Sequence, residues 1–205
     1  IECEVEKWRD PLDRKRLANG WQTRESSGPT VSMADGQVRI EGSFSKDGDA
    51  RVYRSYPGGD FLSFEADVRI DAGSADAALV GVFAARERQR RDDSEILAEV
   101  AVGRHKEGNV QLRFQRTGQP AELHDMRQSF PLGQWVRLKL ERTGESADAA
   151  VTLYMDGIPL IERVPMPSLV QTNSPLLVGL FAEGQLGRKV DVRMDNVAIV
   201  TRVAP

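Results

Sequence analysis

Cysteine occurs once in the 205 residues, as Cys3, so no internal disulfide and no multi-cysteine zinc site is available. Histidine occurs twice, at His105 and His124, too few for a histidine-based metal centre. No run approaches the roughly 20 apolar residues of a membrane span. Aromatic residues are 6% of the chain, which restricts the flat platforms on which a sugar ring stacks. Excess charge of one sign is missing too. The 28 basic and 31 acidic residues leave a net −3, without the basic footprint of a nucleic-acid binder. Glycines are scattered at turns rather than gathered ahead of a helix, so no phosphate loop is present. No Ser-His-Asp or Cys-His arrangement can be built.

What is there is the balance of a globular domain, 40% hydrophobic and 29% charged. The length suits one unit over 1–205, with a core that needs no staples. The chain opens on Ile1 rather than Met, and the expectation is a piece of a larger protein. Residues 1–30 read as irregular, with Trp8 and Trp21 as apolar anchors and one short helical turn around Arg14–Leu17. From Val31 the pattern is that of strands. Leu62, Phe64, Ala66, Val68 and Ile70 alternate with Ser63, Glu65, Asp67 and Arg69, so one face is buried and one is wet. Residues 77–85 and 176–182 are apolar on both faces and read as central strands covered on each side. In 95–103, Ile96, Ala98, Val100 and Val102 are expected inward. In 109–116, Val110, Leu112 and Phe114 are expected inward.

Asp35-Gly36 and Asp156-Gly157 are hairpin signals. Pro159 assigns the strand after the second hairpin to a sheet edge, or itself to a position outside the hydrogen-bond ladder. Residues 117–133 and 165–175 read as connections. Arg86–Asp93, RERQRRDD, reads as a solvated charged loop or strand tip, or as a contact loop for a protein partner. In the last strand Val190, Val192 and Met194 share one parity, and Val197 and Ile199 the other. A one-residue slip flips every side chain, so a β-bulge is expected near Asp195-Asn196. Ten to twelve strands at short spacing, with no helix longer than a turn, predict an all-β sandwich or barrel.

The motifs Gly133-Gln134-Trp135-Val136-Arg137-Leu138, Leu153-Tyr154-Met155-Asp156-Gly157-Ile158-Pro159-Leu160, Val178-Gly179-Leu180-Phe181-Ala182 and Met194-Asp195-Asn196-Val197 resemble the concanavalin A-like lectin/glucanase superfamily. Within it the chain looks closest to family-16-like, 3-keto-disaccharide hydrolase-like and laminin-G-like modules. The resemblance implies an antiparallel two-sheet jelly roll. It also implies carbohydrate as the ligand class and an extracytoplasmic or cell-surface location.

Glu95-Ile96-Leu97-Ala98-Glu99 is similar to the E-x-D-x-E strand of family-16 glycoside hydrolases, whose first Glu is the nucleophile and whose last is the acid/base. Leu97 stands where that pattern has Asp. On a strand, Glu95, Leu97 and Glu99 project together. The two glutamates start roughly 13 Å apart at their Cα atoms, whereas retaining hydrolysis needs carboxyl groups about 5–5.5 Å apart. A glycan-binding face is the second candidate, lined by Glu65, Asp67, Arg69, Glu99, Arg113, Gln115, Arg137 and Tyr154. A structural calcium ion is the third, with Asp47, Asp49 and Asp195 as oxygen donors; no other cofactor is expected. Three functional readings follow. The first is a non-catalytic binding or accessory module, with carbohydrate the ligand class by resemblance. The second is a glycoside hydrolase using Glu95 and Glu99, and the third a structural or protein-interaction domain.

Overall fold

The computed structural model describes residues 5–10, 20–89, 94–170 and 173–203. Among them the chain forms fifteen antiparallel strands and three short 3-10 turns, with no α-helix. One sheet has the order β13 (Ile158–Pro165), β12 (Ala150–Met155), β11 (Trp135–Thr143), β6 (Gly59–Ile70), β15 (Lys189–Val203), β4 (Gln37–Ser43) and β3 (Thr30–Ala34). An eighth strand, β1 (Val5–Asp10), pairs with the C-terminal part of β15. The other sheet has seven strands in the order β10 (Glu122–Ser129), β9 (Asn109–Arg116), β8 (Ser94–His105), β7 (Leu79–Gln89), β14 (Leu176–Gly184), β5 (Gly48–Tyr56) and β2 (Trp21–Arg24).

The alternation in the sequence decides which residues enter the space between the sheets. Phe64, Ala66, Val68, Leu138, Leu140 and Val192 come from the eight-stranded sheet, and Val80, Val82, Val100, Leu112, Phe114 and Val178 from the seven-stranded one. All are fully or almost fully buried. Trp21 belongs to this core as well. Both Asp-Gly hairpins form, with positive φ at each position: 54° and 74° at Asp35 and Gly36, and 50° and 79° at Asp156 and Gly157. That is the backbone a tight hairpin with the right twist demands. The expected bulge is present: pairing of β15 with β6 slips between Asp195 and Ala198, and Asn196 has φ 49°. Pro159 lies in β13, at the sheet edge.

Three expectations are corrected. The start of the chain is not all irregular, since 5–10 and 21–24 are strands; the expected turn around Arg14–Leu17 lies outside the described residues. The connection 117–133 contains β10, whose sequence ELHDMRQS hides its strand character because an edge strand has little to bury. The charged run from Arg86 is strand at its start, but it is not solvated there. It continues β7 to Gln89, with Arg86 and Glu87 almost completely buried; residues 90–93 lie outside the described residues. Arg86 is tolerated inside because its guanidinium donates to the carbonyls of Leu169 (2.8 Å), Ser174 (2.9 Å) and Gly59. Burial lowers its pKa to about 10, against the pull of nearby Asp60.

Candidate functional site

Every strand turns alternate residues away from the core, and on the seven-stranded sheet these outward residues are unusual. Leu79, Phe83, Ala85, Ala101, Leu177 and Phe181 form a second apolar cluster. All six are buried although they lie on the outside of the sandwich. Arginines help to cover them. The Arg51 guanidinium lies 4.7 Å from the Phe83 ring centre, and that of Arg113 lies 5.2 Å from the Phe181 ring centre. The two rings meet edge to face at 6.0 Å. Each cation faces the negative face of a ring, which favours this layered order.

Above the rings the charges pair over long spans. Arg51 on β5 donates to Glu99 on β8 at 2.8 Å. Arg113 on β9 meets Glu99 at 2.6 Å and Glu183 on β14 at 2.6 Å. Arg24 on β2 donates to Glu87 on β7 at 3.0 Å. Arg51–Glu99, Arg113–Glu183 and Arg24–Glu87 each skip two strands. On a flat sheet such partners stand roughly 14 Å apart laterally, and upright side chains keep that separation. All three run along the same diagonal. They close because the sheet curls toward this face and the side chains lean across it. The glycines agree. Gly81 and Gly103 lie opposite each other on this face. A Cβ on Gly81 would meet the Val102 carbonyl oxygen at 2.0 Å, and one on Gly103 that of Val80 at 2.2 Å. The backbone of the neighbouring strand approaches both positions too closely for a side chain, and glycine is what fits there.

Burial alone would raise the Glu99 pKa, but Arg51 and Arg113 outweigh it and hold the carboxyl below the ordinary glutamate value. Burial likewise works against the charge of Arg51 and of Arg113; Glu99 overcomes it in both, aided by Asp49 for Arg51 and by Glu183 for Arg113, and each cation is stabilised. Glu99 is a fixed anion, 1% exposed. It is a structural countercharge, poorly suited to passing a proton at neutral pH.

Glu95 is not beside it. The register of β8 against β7 slips between Arg86 and Glu87, so that Ala98 pairs with Arg86 and Ile96 with Glu87, leaving Leu97 as the extra residue. The bulge shifts the parity. Ile96, expected inward, shares the hollow face with Glu99. Glu95 falls to the opposite side, across from Arg88, whose guanidinium is 3.9 Å away. The expectation that Glu95, Leu97 and Glu99 project together therefore fails at Glu95.

The expected glycan-binding residues divide between the two outer faces. Glu99, Arg113 and Gln115 are on the hollow face, aligned by the β8–β9 register. Glu65, Asp67, Arg69, Arg137 and Tyr154 lie on the outside of the eight-stranded sheet, the far side of the sandwich. There Arg137 pairs with Glu65 (3.3 Å) and Asp67 (3.2 Å), Arg69 pairs with Asp71 (2.9 Å), and Lys139 lies over Tyr154. The calcium donors do not converge either. Asp47 accepts from the Leu186 amide, Asp49 pairs with Arg51, and Asp195 sits in mid-β15 accepting from the Asn196 amide. Among the described residues no group of three or more His, Cys, Asp or Glu is placed to hold a metal.

The hollow face keeps an open pocket of about 400 Å³, lined among others by Arg24, Asp49, Arg51, Ile96, Glu183 and Gln185. Sequence reasoning passed over Arg24, Arg51, Glu87 and Glu183 as site residues. No local pattern marks Arg51 or Glu183; the tertiary structure brings the first to Glu99 and the second to Arg113.

No protein-family model matches the chain, and no curated protein matches it in sequence. Solved structures do match in fold. A laminarinase from Flavobacterium sp. UMI-01 superposes with a TM-score of 0.64 at 9% identity, over 94% of this chain and 98% of that one. The Emp47p carbohydrate recognition domain superposes with a TM-score of 0.64 at 12% identity, over 97% and 95%. SCLam, a non-specific endo-beta-1,3(4)-glucanase from family GH16, superposes with a TM-score of 0.62 at 11% identity, over 100% and 94%. At these identities the likeness is one of fold: a concanavalin A-like jelly roll.

Proposed function

We propose that this chain is a non-catalytic glycan-binding module that takes its ligand into the pocket on the hollow face of the seven-stranded sheet. The observation that carries the reading is the state of Glu99, the one carboxylate of the suggested catalytic pair that lies on this face. It is locked as an anion between Arg51 and Arg113, and Glu95 points the other way. A hydrolase needs one carboxyl that gives a proton and a second within reach; a binding site needs neither. The pocket offers guanidinium donors and carboxylate acceptors at fixed positions, the groups that pair with sugar hydroxyls. The fold supports carbohydrate as the ligand class without separating binding from cleavage, since its neighbours include glucanases and a carbohydrate recognition domain. An extracytoplasmic location is part of the same proposal.

A glycan array followed by calorimetry on the hits tests this, together with a reducing-sugar assay on the same glycans. Binding without sugar release is the expected result, weakened by Arg51→Ala and untouched by Glu65→Ala on the opposite face. Release of sugar that stops in Glu99→Gln replaces the reading with the hydrolase. Silence across the array leaves the structural or protein-interaction domain.

A further inference from the structure

The three ion pairs bridge the hollow rather than line it. An elongated ligand lying through a hollow has to cross the diagonal that Arg51–Glu99, Arg113–Glu183 and Arg24–Glu87 span. The Arg51–Glu99 bridge is deeply buried, with side-chain exposures of 5% and 1%. Arg113 is 12% and Glu183 26% exposed, and Glu87 is 3% exposed, while Arg24, at 30%, is the most accessible of the six. The space left beside them is about 400 Å³, near the lower end of the range for small-molecule sites. Its lining joins Arg24 and Ile96, which pairs with Glu87 in register, to Arg51, Asp49 and Glu183. Glu87 itself is buried, and Arg24 donates to it.

We propose that the pocket takes the end of a glycan, roughly two sugar units, and that the Arg24–Glu87 pair is the wall that stops a chain from running through. The proposal rests on the glycan-binding reading above and narrows its ligand from any saccharide to a terminus or a short free oligosaccharide. Arg24 closes the site beyond it, so units further along the chain meet solvent and add nothing to affinity. Arg24→Ala with Glu87→Gln removes the wall without leaving either charge buried alone.

The test titrates the wild-type chain, the Glu87→Gln variant and the double variant with laminaribiose through laminarihexaose, and with the matching cello-oligosaccharides. Thermal melts confirm that the variants are folded. In the wild type, affinity for the bound series is expected to stop rising after two or three units. In the double variant it continues to rise, by about fivefold for each added unit that gains one hydrogen bond. Glu87→Gln alone keeps an oxygen that accepts from Arg24, so its affinity is expected to level off at the same ligand length as in the wild type. A wild-type affinity that climbs steadily to six units overturns the end-binding proposal and leaves the glycan-binding reading standing. Binding of neither series by the wild type overturns both.

Discussion

The two outer faces of this sandwich carry similar charged residues and use them differently. On the eight-stranded sheet, Arg137, Arg69 and Arg39 pair with Glu65, Asp67, Asp71 and Asp191 on the same or neighbouring strands, with side chains about a fifth to two-fifths exposed. On the seven-stranded sheet, Arg51 and Arg113 reach Glu99 and Glu183 across intervening strands, and Glu99 is 1% exposed. The difference teaches that curvature, not composition, sets the worth of an ion pair here. Water screens the first set and is displaced from the second by the side chains that fold over Phe83 and Phe181.

The largest break in that contrast comes from Glu99→Ala. It leaves two buried guanidiniums near one another with only Asp49 and Glu183 to balance them, and urea unfolding is expected to show a loss of roughly 3–5 kcal/mol. Glu99 also gives the contrast a pH signature. Its folded pKa is depressed, so its contribution is complete above the unfolded value and is lost as the pH falls through the folded one. The stability gap between wild type and Glu99→Gln should therefore hold at neutral pH and narrow below about pH 4.3. A gap that widened in acid would contradict the sign assigned here.

Gly81→Ala comes next. Its new methyl has to push back the backbone of β8, for a loss of roughly 1–3 kcal/mol, and the flattening should weaken any ligand of the hollow face. A fully stable alanine variant with unchanged binding removes the evidence that the curl needs glycine. Arg137→Ala, on the other face, should cost under about 1 kcal/mol. If it matches Glu99→Ala, the two faces are not different after all. The smallest effect is that of salt. At 1 M NaCl the screening length is about 3 Å, so the Arg137→Ala difference should vanish while that of Glu99→Ala persists.

Much of the frame was legible because it rests on local rules. Alternation over 61–70 marked a half-buried strand, Asp-Gly pairs marked hairpins, and the parity break at Asp195-Asn196 marked a bulge, since each is a property of a few consecutive residues. The bulge at Leu97 left no such mark. The residues around it, Ile96, Leu97 and Ala98, are all apolar, so no change of phase shows, and Glu95 was placed on the wrong side. β10 was missed for the converse reason, because an edge strand with little buried has no pattern to read.

By itself, the amino-acid order determined an antiparallel sandwich, its hairpins and most of its core, through side-chain parity and turn chemistry that act within one strand or one loop. Only the tertiary structure decided which of the outward charges come together. Arg24, Arg51, Glu87, Glu99, Arg113 and Glu183 come from six different strands. They meet because the seven-stranded sheet curls, and curl is a collective property of the whole sheet and its packing, which no local pattern in the chain encodes.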